Sequence, residues 1–216
     1  MPAKEKVGIL GSGDVGKQLG RGFAAHGYDV MLGTREPKKL EEWKADTPGR
    51  VSVGSFAQAA SHGNLVIVAT HGAATEAVLA AIGPRTFRGK LVLDATNPLD
   101  VSRGMPPGLL FGVTDSLGER VQRQLPDAKV VKCFNTVSSL RMVDPKFSSG
   151  PARMWICGND AGAKRAVEEL LRELGWAGAL DVGEIEASRW LEAMVPLWVR
   201  AGLALDTWEH MLQVVR

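Results

Sequence analysis

Three glycines near the start of the chain are spaced as in a dinucleotide-binding loop. The segment VGILGSGDVGKQL places Gly11, Gly13 and Gly16 between a short apolar run and a helix-forming run. In such loops the first glycine allows a tight turn, the second lets the backbone approach a pyrophosphate, and the third lets the helix lie against the strand. Amide groups at the helix start face the anion. The segment predicts a dinucleotide site, and a glycine-rich turn without a ligand is the alternative.

The residues after the second apolar run indicate which dinucleotide binds. An acid at this place hydrogen-bonds the ribose 2′-hydroxyl of NAD, whereas Thr34 and Arg35 stand here. Arginine binds a 2′-phosphate through a charged fork and threonine through its hydroxyl. Lys38 and Lys39 add positive potential, and Glu36 is expected to point away. The pattern favours NADP over NAD; the alternative is that Arg35 is an ordinary solvated charge.

Other reactive side chains form no recognisable catalytic set. The four histidines lie far apart, and none has a cysteine or carboxylate at ligand spacing, so no metal site is predicted. Cys133 and Cys157 are interpreted as small buried apolar groups. Lys132 is the one tempting proton donor, but it lies within a predicted strand and its direction cannot be read from the sequence. The catalytic residues therefore stay unassigned.

Alternating apolar and helix-forming runs must position these residues. Strands are predicted at 7–10, 29–32, 51–53, 64–70, 90–96, 128–134, 153–158 and 178–183, with helices between most of them. Continuously apolar, β-branched runs are typical of strands buried on both faces. Strands that alternate with helices predict an α/β, Rossmann-type, doubly wound, mostly parallel sheet. The stretch 97–112, rich in glycine and proline, is predicted to be a long functional loop.

The chain is predicted to have two segments. Residues 1–183 form an NADP-binding Rossmann domain, and residues 184–216 form a short C-terminal helical tail. The tail is rich in large apolar groups at helical spacings, among them Trp190, Trp198 and Trp208. Such a stripe either packs on its own sheet or forms a surface for a partner. We expect it to lie in a homodimer interface.

Composition excludes several classes of protein. The net charge of +2 and the scattered basic residues do not favour nucleic acid or a membrane surface. No apolar stretch approaches the roughly 18 residues of a membrane span, and the first apolar run is too short for a signal peptide. The two cysteines cannot form a disulfide framework. We therefore expect a cytoplasmic protein with neither nucleic acid nor membrane as a partner.

The glycine loop VGILGSGDVGKQL, the segment GTREPKK after the second strand and four later motifs together resemble a known family. As an ordered set, these motifs resemble the factor-420-dependent (F420-dependent) NADP oxidoreductase family. The four later motifs are DATNPL, VVKCFNTVSS, ICGNDAGAKRAV and LGWAGALDVGEIEASRWLEAM. The set is especially similar to the soluble reductase domain of the STEAP metalloreductases. The resemblance covers about residues 6 to 199. It implies a Rossmann-like domain that binds NADP(H) and passes hydride to a deazaflavin or flavin ring.

The resemblance also implies which positions bind the cofactor. They are Ser12, Gly13, Asp14 and Val15 in the pyrophosphate loop, Thr34, Arg35 and Lys38 at the 2′-phosphate, Thr70 and His71 along the cleft, and Asn97, Pro98, Cys133, Phe134 and Asn135 near the nicotinamide. His71 either contacts the cofactor or has no role in binding. Asn135 either binds the nicotinamide carboxamide or bonds only the turn after its strand.

We therefore expect hydride transfer between NADPH and a flavin-like small molecule, either the deazaflavin coenzyme F420 or free FMN or FAD. Transfer between two rings needs positioning by the protein rather than a protein acid. Two alternatives remain open: a reductase of a small carbonyl or imine substrate, and a non-catalytic NADP-binding module that senses redox state. The reductase would need a proton donor and a larger helical domain than the tail supplies.

Overall fold

Strands and helices alternate along the chain in the computed structural model, which describes residues 5–214. The predicted segments also include residues 1–4 and 215–216, which lie outside the described residues. The strands are β1 (Lys6–Leu10), β2 (Asp29–Gly33), β3 (Arg50–Gly54), β4 (Leu65–Val68), β5 (Leu91–Asp94), β6 (Leu99–Asp100), β7 (Gly108–Leu109), β8 (Lys129–Lys132), β9 (Met154–Gly158) and β10 (Ala179–Asp181). The helices are α1 (Asp14–Ala25), α2 (Glu41–Ala45), α3 (Phe56–His62), α4 (Thr75–Ile82), α5 (Leu117–Gln124), α6 (Ala161–Glu173) and α7 (Ser188–Leu205).

Eight of the strands form one sheet in the order β3-β2-β1-β4-β5-β8-β9-β10. Neighbouring strands in this sheet run parallel to each other, except for β8 and β9. These two run antiparallel, with Lys132 opposite Cys157. The order of the strands reverses between β1 and β4, and doubly wound folds bind their ligands beyond the carboxyl ends of the strands at such a point. The predicted Rossmann-type, mostly parallel sheet is confirmed.

Helices cover both faces of the sheet because each presents an apolar stripe. Helices α1 and α6 contribute to the core on one face, and α3, α4 and α5 to the core on the other. In α6, Val167, Leu170 and Leu171 are buried at spacings of three and four. The Asp160 carboxylate caps the helix by accepting a hydrogen bond from the Ala163 amide at 2.7 Å. Burying each such leucine or valine contributes about 1.5–3 kcal/mol.

The stretch predicted to be a long loop contains a small hairpin. Strands β6 and β7 pair antiparallel within it, and β7 also contacts α7. The segment between the two strands exposes Val101 and Met105, whose side chains are both more than half accessible to solvent. The hairpin therefore places apolar side chains in solvent beside the last helix.

In the C-terminal tail, as far as residue 214, a short 3-10 helix (Ile185–Ala187) leads into α7, and no helix follows α7. The helix continues through Pro196 and ends at Leu205, and the next residue, Asp206, has a left-handed φ of 50°. The chain then folds back, and Met211 forms an isolated β-bridge with Val137. Trp208, which was predicted to be helical, therefore lies beyond the helix end. Across residues 5–214, no helix is both long and apolar enough to cross a membrane.

Candidate functional site

A cleft of about 1050 Å³ opens beside the carboxyl ends of β1, β2 and β4. Its walls include the predicted positions Gly11, Ser12, Gly13, Asp14, Val15, Thr34, Arg35, Thr70 and His71. The other predicted positions, which are Gly16, Lys38, Asn97, Pro98, Cys133, Phe134 and Asn135, do not line it. Loops that are distant in sequence thus meet where the order of the strands reverses, as a dinucleotide requires.

The three glycines of the first loop have different surroundings. Gly11 has a left-handed φ of 135°, and a Cβ there would collide with the Ala69 carbonyl. A Cβ on Gly16 would collide with the Gly11 carbonyl oxygen. A Cβ on Gly13 would meet nothing within 4 Å, and Gly13 lines the cleft. Two glycines are therefore required by packing, whereas Gly13 leaves open space in front of the start of α1, where no side chain caps the helix amides.

Thr34 and Arg35 follow β2 at the cleft wall. Thr34 is buried, and its hydroxyl oxygen accepts a hydrogen bond from the Ser12 hydroxyl at 3.1 Å. The Arg35 side chain is exposed, and within residues 5–214 its guanidinium has neither a hydrogen bond nor an ion-pair partner. A guanidinium without such a partner, beside a threonine hydroxyl, suits a phosphate monoester.

Glu36 and the lysines after it differ from expectation in one respect. Glu36 belongs to the cleft wall instead of pointing away, and its carboxylate pairs with Lys39 Nζ at 2.8 Å. This hydrogen bond and the charge of Lys39 lower the pKa of Glu36. Lys39 also lines the cleft, whereas Lys38 is exposed outside it. Lys39 therefore offsets the charge of Glu36, and Arg35 stays as a positive group of this wall that has no ion-pair partner in residues 5–214.

The loop after β4 forms the opposite wall. The Thr70 and Thr75 hydroxyls are hydrogen-bonded at 2.8 Å, which fixes the loop at the start of α4. His71 is exposed on the cleft wall, and its ring makes no hydrogen bond to any described residue. Four small residues of this wall were not among the predicted positions: Ala74, Ala77, Val78 and Ala81. These residues are three and four positions apart, so they lie on one face of a helix. That face of small side chains is the sequence pattern that could have predicted this wall of the cleft.

The ends of β5 and β8 are joined through two asparagines. Asn97 Nδ2 donates to the Asn135 carbonyl oxygen at 2.8 Å, and Asn135 Nδ2 donates to Asn97 Oδ1 at 3.0 Å. Asn135 Nδ2 also donates to the Leu191 carbonyl oxygen of α7 at 3.1 Å. Pro98 is buried beside Asn97. The structure therefore brings together the two segments that the resemblance placed near the nicotinamide, and adds α7 to them.

Cys133, Cys157 and Phe134 are all buried. Burial raises the pKa of the Cys133 thiol well above its usual range, and burial raises the pKa of Cys157 to about 11. Phe134 is fully buried and has a left-handed φ of 68°, a conformation that costs of order 1–3 kcal/mol for a residue with a side chain. Among residues 5–214, no group of three or more histidine, cysteine or acidic side chains could hold a metal ion.

Lys132 points into the protein, toward two carboxylates. Its Nζ donates to Asp94 Oδ2 at 2.8 Å, to Glu192 Oε1 at 2.7 Å and to the Thr96 carbonyl oxygen at 2.7 Å. All three ionisable side chains are buried. Burial by itself lowers the pKa of Lys132, but the charges of Asp94 and Glu192 outweigh it, and the pKa lies above its ordinary value. The Lys132 ammonium therefore stays charged and hydrogen-bonded to all three oxygens.

Glu192 extends this buried cluster to the start of α5. Its two carboxylate oxygens accept hydrogen bonds from the Leu117 and Gly118 amides, each at 2.9 Å, as an anion does at a helix N-terminus. Leu191, the preceding residue, accepts the hydrogen bond from Asn135. Helix α7 is thus tied to the ends of β5 and β8 by both charge and hydrogen bonds. Neither the Asp94 nor the Glu192 carboxylate was among the predicted site residues.

Comparison with known proteins adds independent observations. Residues 6–98 match the family model described as NADP oxidoreductase coenzyme F420-dependent. The chain is 30% identical over 209 residues to the F420-dependent NADP reductase of Methanocaldococcus jannaschii, covering 90% of this chain and 91% of that protein. A crystal structure described as a candidate F420-dependent NADP reductase from Arthrobacter sp. FB24 superposes with a TM-score of 0.94 at 40% identity, covering 99% of this chain and 100% of that one.

A second group of relatives is longer. The chain is 29% identical over 222 residues to human metalloreductase STEAP2, covering 99% of this chain and 42% of that protein. The chain spans about two fifths of the length of the STEAP metalloreductases that it matches. The similarity therefore concerns one part of those proteins.

Proposed function

Because this chain belongs to the F420-dependent NADP oxidoreductase family, a family of NADP-dependent oxidoreductases, we propose that it transfers hydride between NADPH and a flavin-like acceptor. The acceptor is the deazaflavin coenzyme F420 or a free flavin, FMN or FAD. The observation that carries the proposal is the cleft wall after β2, where an exposed guanidinium and a threonine hydroxyl stand in place of a ribose-binding acid.

The residues present fit NADP(H) at two places. The open space at Gly13 lies before uncapped helix amides, which suits a pyrophosphate. Arg35 and Thr34 would hold the 2′-phosphate. Bound NADPH would supply the hydride, and the chain would supply binding, orientation and exclusion of water. The asparagine pair, held against α7, would form the wall at the nicotinamide end.

In the part of the chain that the structure describes, Lys132 and Cys133 at the end of β8 are not ready proton donors, which supports a flavin-like acceptor over a carbonyl. Reduction of a ketone requires a proton for the new alcohol. The Lys132 ammonium already donates to three oxygens inside the protein. Burial raises the pKa of the Cys133 thiol, and its side chain has no accessible surface. Hydride transfer to a ring needs neither group.

The function is tested by following NADPH oxidation with a panel of acceptors. We expect turnover with F420, FMN or FAD and none with ketones or imines, because only the former accept hydride without a protein acid at the strand ends. Ferric chelates serve as a one-electron control. Turnover of ketones or imines alone would replace this proposal with the small-substrate reductase. Tight NADPH binding with no turnover of any acceptor would indicate the redox-sensing module.

We also propose that two copies associate through α7. Trp190 and Leu197, seven residues apart and therefore on one face of the helix, are 59% and 58% exposed. Trp198, in contrast, stacks on His210 with ring centroids 4.8 Å apart and contacts Trp208 in the same chain. The proposed interface thus contains Trp190 and Leu197 rather than the whole aromatic set.

Light scattering should give a mass near twice 23.1 kDa, because burying large exposed apolar side chains drives association. Trp190→Glu together with Leu197→Glu should give a monomer, whereas Val182→Glu, which replaces an exposed apolar residue outside α7, should not. A monomeric wild-type protein would rule the dimer out.

We further propose a cytoplasmic location, since both cysteines are free and buried; cell fractionation tests it.

A further inference from the structure

One buried ammonium joins three elements of the fold. Lys132 Nζ, at the end of β8, donates to Asp94 Oδ2 at 2.8 Å and to the Thr96 carbonyl oxygen at 2.7 Å, at and just beyond the end of β5. It also donates to Glu192 Oε1 of α7 at 2.7 Å. Because the charged side chains are all buried, water cannot replace a bond that is lost. This one group therefore limits how β5, β8 and α7 can move relative to each other.

The partners of Lys132 are themselves held in place. Asp94 Oδ1 accepts hydrogen bonds from the Thr96 amide at 3.0 Å and from the Thr96 hydroxyl at 2.6 Å, which fixes the turn after β5 on its own strand. Helix α5 approaches α7 closely at Gly118, where a Cβ would collide with the Ser188 hydroxyl. The ends of β5 and β8 and the first turns of α5 and α7 thus form one hydrogen-bonded unit.

This unit contacts the wall of the dinucleotide cleft. Asn97 comes directly after the turn that Lys132 holds, and its carbonyl oxygen packs against Gly72, where a Cβ would collide with it. Gly72 in turn follows Thr70 and His71, both of which line the cleft. Lys132 does not line the cleft itself. It therefore acts on the cleft through these neighbours.

The wall in question lies at the nicotinamide end. Arg35 follows β2, and a dinucleotide spans the point where the order of the strands reverses. With the 2′-phosphate at Arg35, the nicotinamide half lies across that point, toward the ends of β4 and β5. The two phosphate sites belong to the loops after β1 and β2, which are separate from the Lys132 unit.

We infer that Lys132 is a positioning residue for hydride transfer, and that with Asp94 and Glu192 it fixes the cleft wall against which the nicotinamide ring is held. The inference rests on the proposed function. Loss of one of the three charges should misalign the ring while leaving the phosphate contacts intact. A misplacement of about 1 Å can slow a reaction by about 10²-fold.

The inference is tested with Glu192→Gln, which keeps the size of the side chain. The new amide nitrogen cannot accept a hydrogen bond, so a bond to Lys132 or to the start of α5 is lost. In a single turnover that mixes the NADPH-loaded protein with F420, FMN or FAD, hydride transfer should slow by about tenfold or more. The calorimetric dissociation constants of NADPH and of 2′,5′-ADP should change by less than about twofold, because the phosphate contacts remain. Lys132→Met, measured well below its melting temperature, should act in the same direction.

A second measurement needs no acceptor. The reduced nicotinamide ring is fluorescent, and its excited-state lifetime is longer where the protein restricts the motion of the ring. NADPH bound to the wild-type protein should therefore show a longer lifetime than NADPH bound to Glu192→Gln.

Leu171→Ala is the matched control. Leu171 is fully buried in α6, on the face of the sheet opposite to α5, and its truncation destabilises the fold by leaving a cavity. The rate of hydride transfer and the NADPH lifetime should match those of the wild type. Equal lifetimes in the wild type and Glu192→Gln, or a Glu192→Gln rate no slower than that of Leu171→Ala, would overturn the inference and leave the proposed function standing. A wild-type protein that binds NADPH but reduces no flavin would refute the proposed acceptor, and the lifetimes would still decide whether Lys132 positions the ring.

Discussion

Arg35→Ala is expected to weaken NADPH binding by about 10- to 100-fold and to leave NADH binding nearly unchanged. A hydrogen bond to a charged group contributes roughly 1.5–3 kcal/mol, and the 2′-phosphate is the group by which the two cofactors differ. The guanidinium has no ion-pair partner in residues 5–214, and Glu36, whose pKa the Arg35 charge helps to lower, keeps Lys39 as its partner when Arg35 is removed. Titration calorimetry with both cofactors gives the two dissociation constants.

The matched control is Arg50→Ala. Arg50, at the start of β3, donates to the Gly27 carbonyl oxygen at 3.1 Å and does not line the cleft. Its loss should alter neither affinity. A second variant, Arg35→Glu, should favour NADH further, because a carboxylate accepts from the ribose hydroxyl and repels a 2′-phosphate. If Arg35→Ala weakened both cofactors equally, the assignment of the 2′-phosphate to this wall would be wrong.

Lys132→Met is expected to lower the free energy of unfolding by about 3–5 kcal/mol. The substitution keeps the apolar stem but leaves Asp94 and Glu192 buried without their cation, and removing one partner of a buried ion pair typically costs this much. Denaturant titration measures the change. Lys90→Met is the control, because the Lys90 ammonium donates one hydrogen bond, to the Ala60 carbonyl, and pairs with no described acid. Its loss should cost less than about 2 kcal/mol.

Two further measurements separate the charge cluster from simple packing. Lys132→Met with Glu192→Gln should destabilise less than the sum of the single substitutions, since both remove the same interaction. The pKa of Lys132 is raised in the folded protein. The cluster therefore stabilises the fold fully at a pH below the pKa of an unfolded lysine, about 10.4, and this stabilisation is lost only as the pH rises through the pKa of Lys132 in the folded protein. The stability difference should therefore stay constant from neutral pH to mildly alkaline pH. Additive energies would show that Lys132 and Glu192 act independently.

The parts of this site that the sequence predicts are encoded locally. The spacing of Gly11, Gly13 and Gly16 and the residues directly after β2 all lie in one βαβ unit, whose hydrophobic pattern fixes its strands and helix. Each of these residues follows a strand end, so their convergence at one edge of a parallel sheet could also be inferred. The resemblance to a family extended this reasoning to Asn97 and Asn135.

The parts that the sequence does not predict depend on distant residues. In a strand buried on both faces, the pattern around Lys132 does not show which face its side chain occupies. Its partners Asp94 and Glu192 lie 38 and 60 residues away, and no local rule pairs them. The antiparallel direction of β9 is similarly unmarked, because hydrophobic alternation carries no direction. The hairpin of β6 and β7 is too short to show a period.

The distance between Lys132 and Glu192 also has a consequence during synthesis. Chains are made at about 5–20 residues per second, so the 60 residues that separate the pair take about 3–12 s to add. For that interval the nascent chain has the lysine and Asp94 but not the second carboxylate, and the Leu117 and Gly118 amides also lack their acceptor. The sheet can assemble from the earlier strands, but the Lys132 ammonium and the two amides at the start of α5 gain their last hydrogen-bond partner only when α7 arrives.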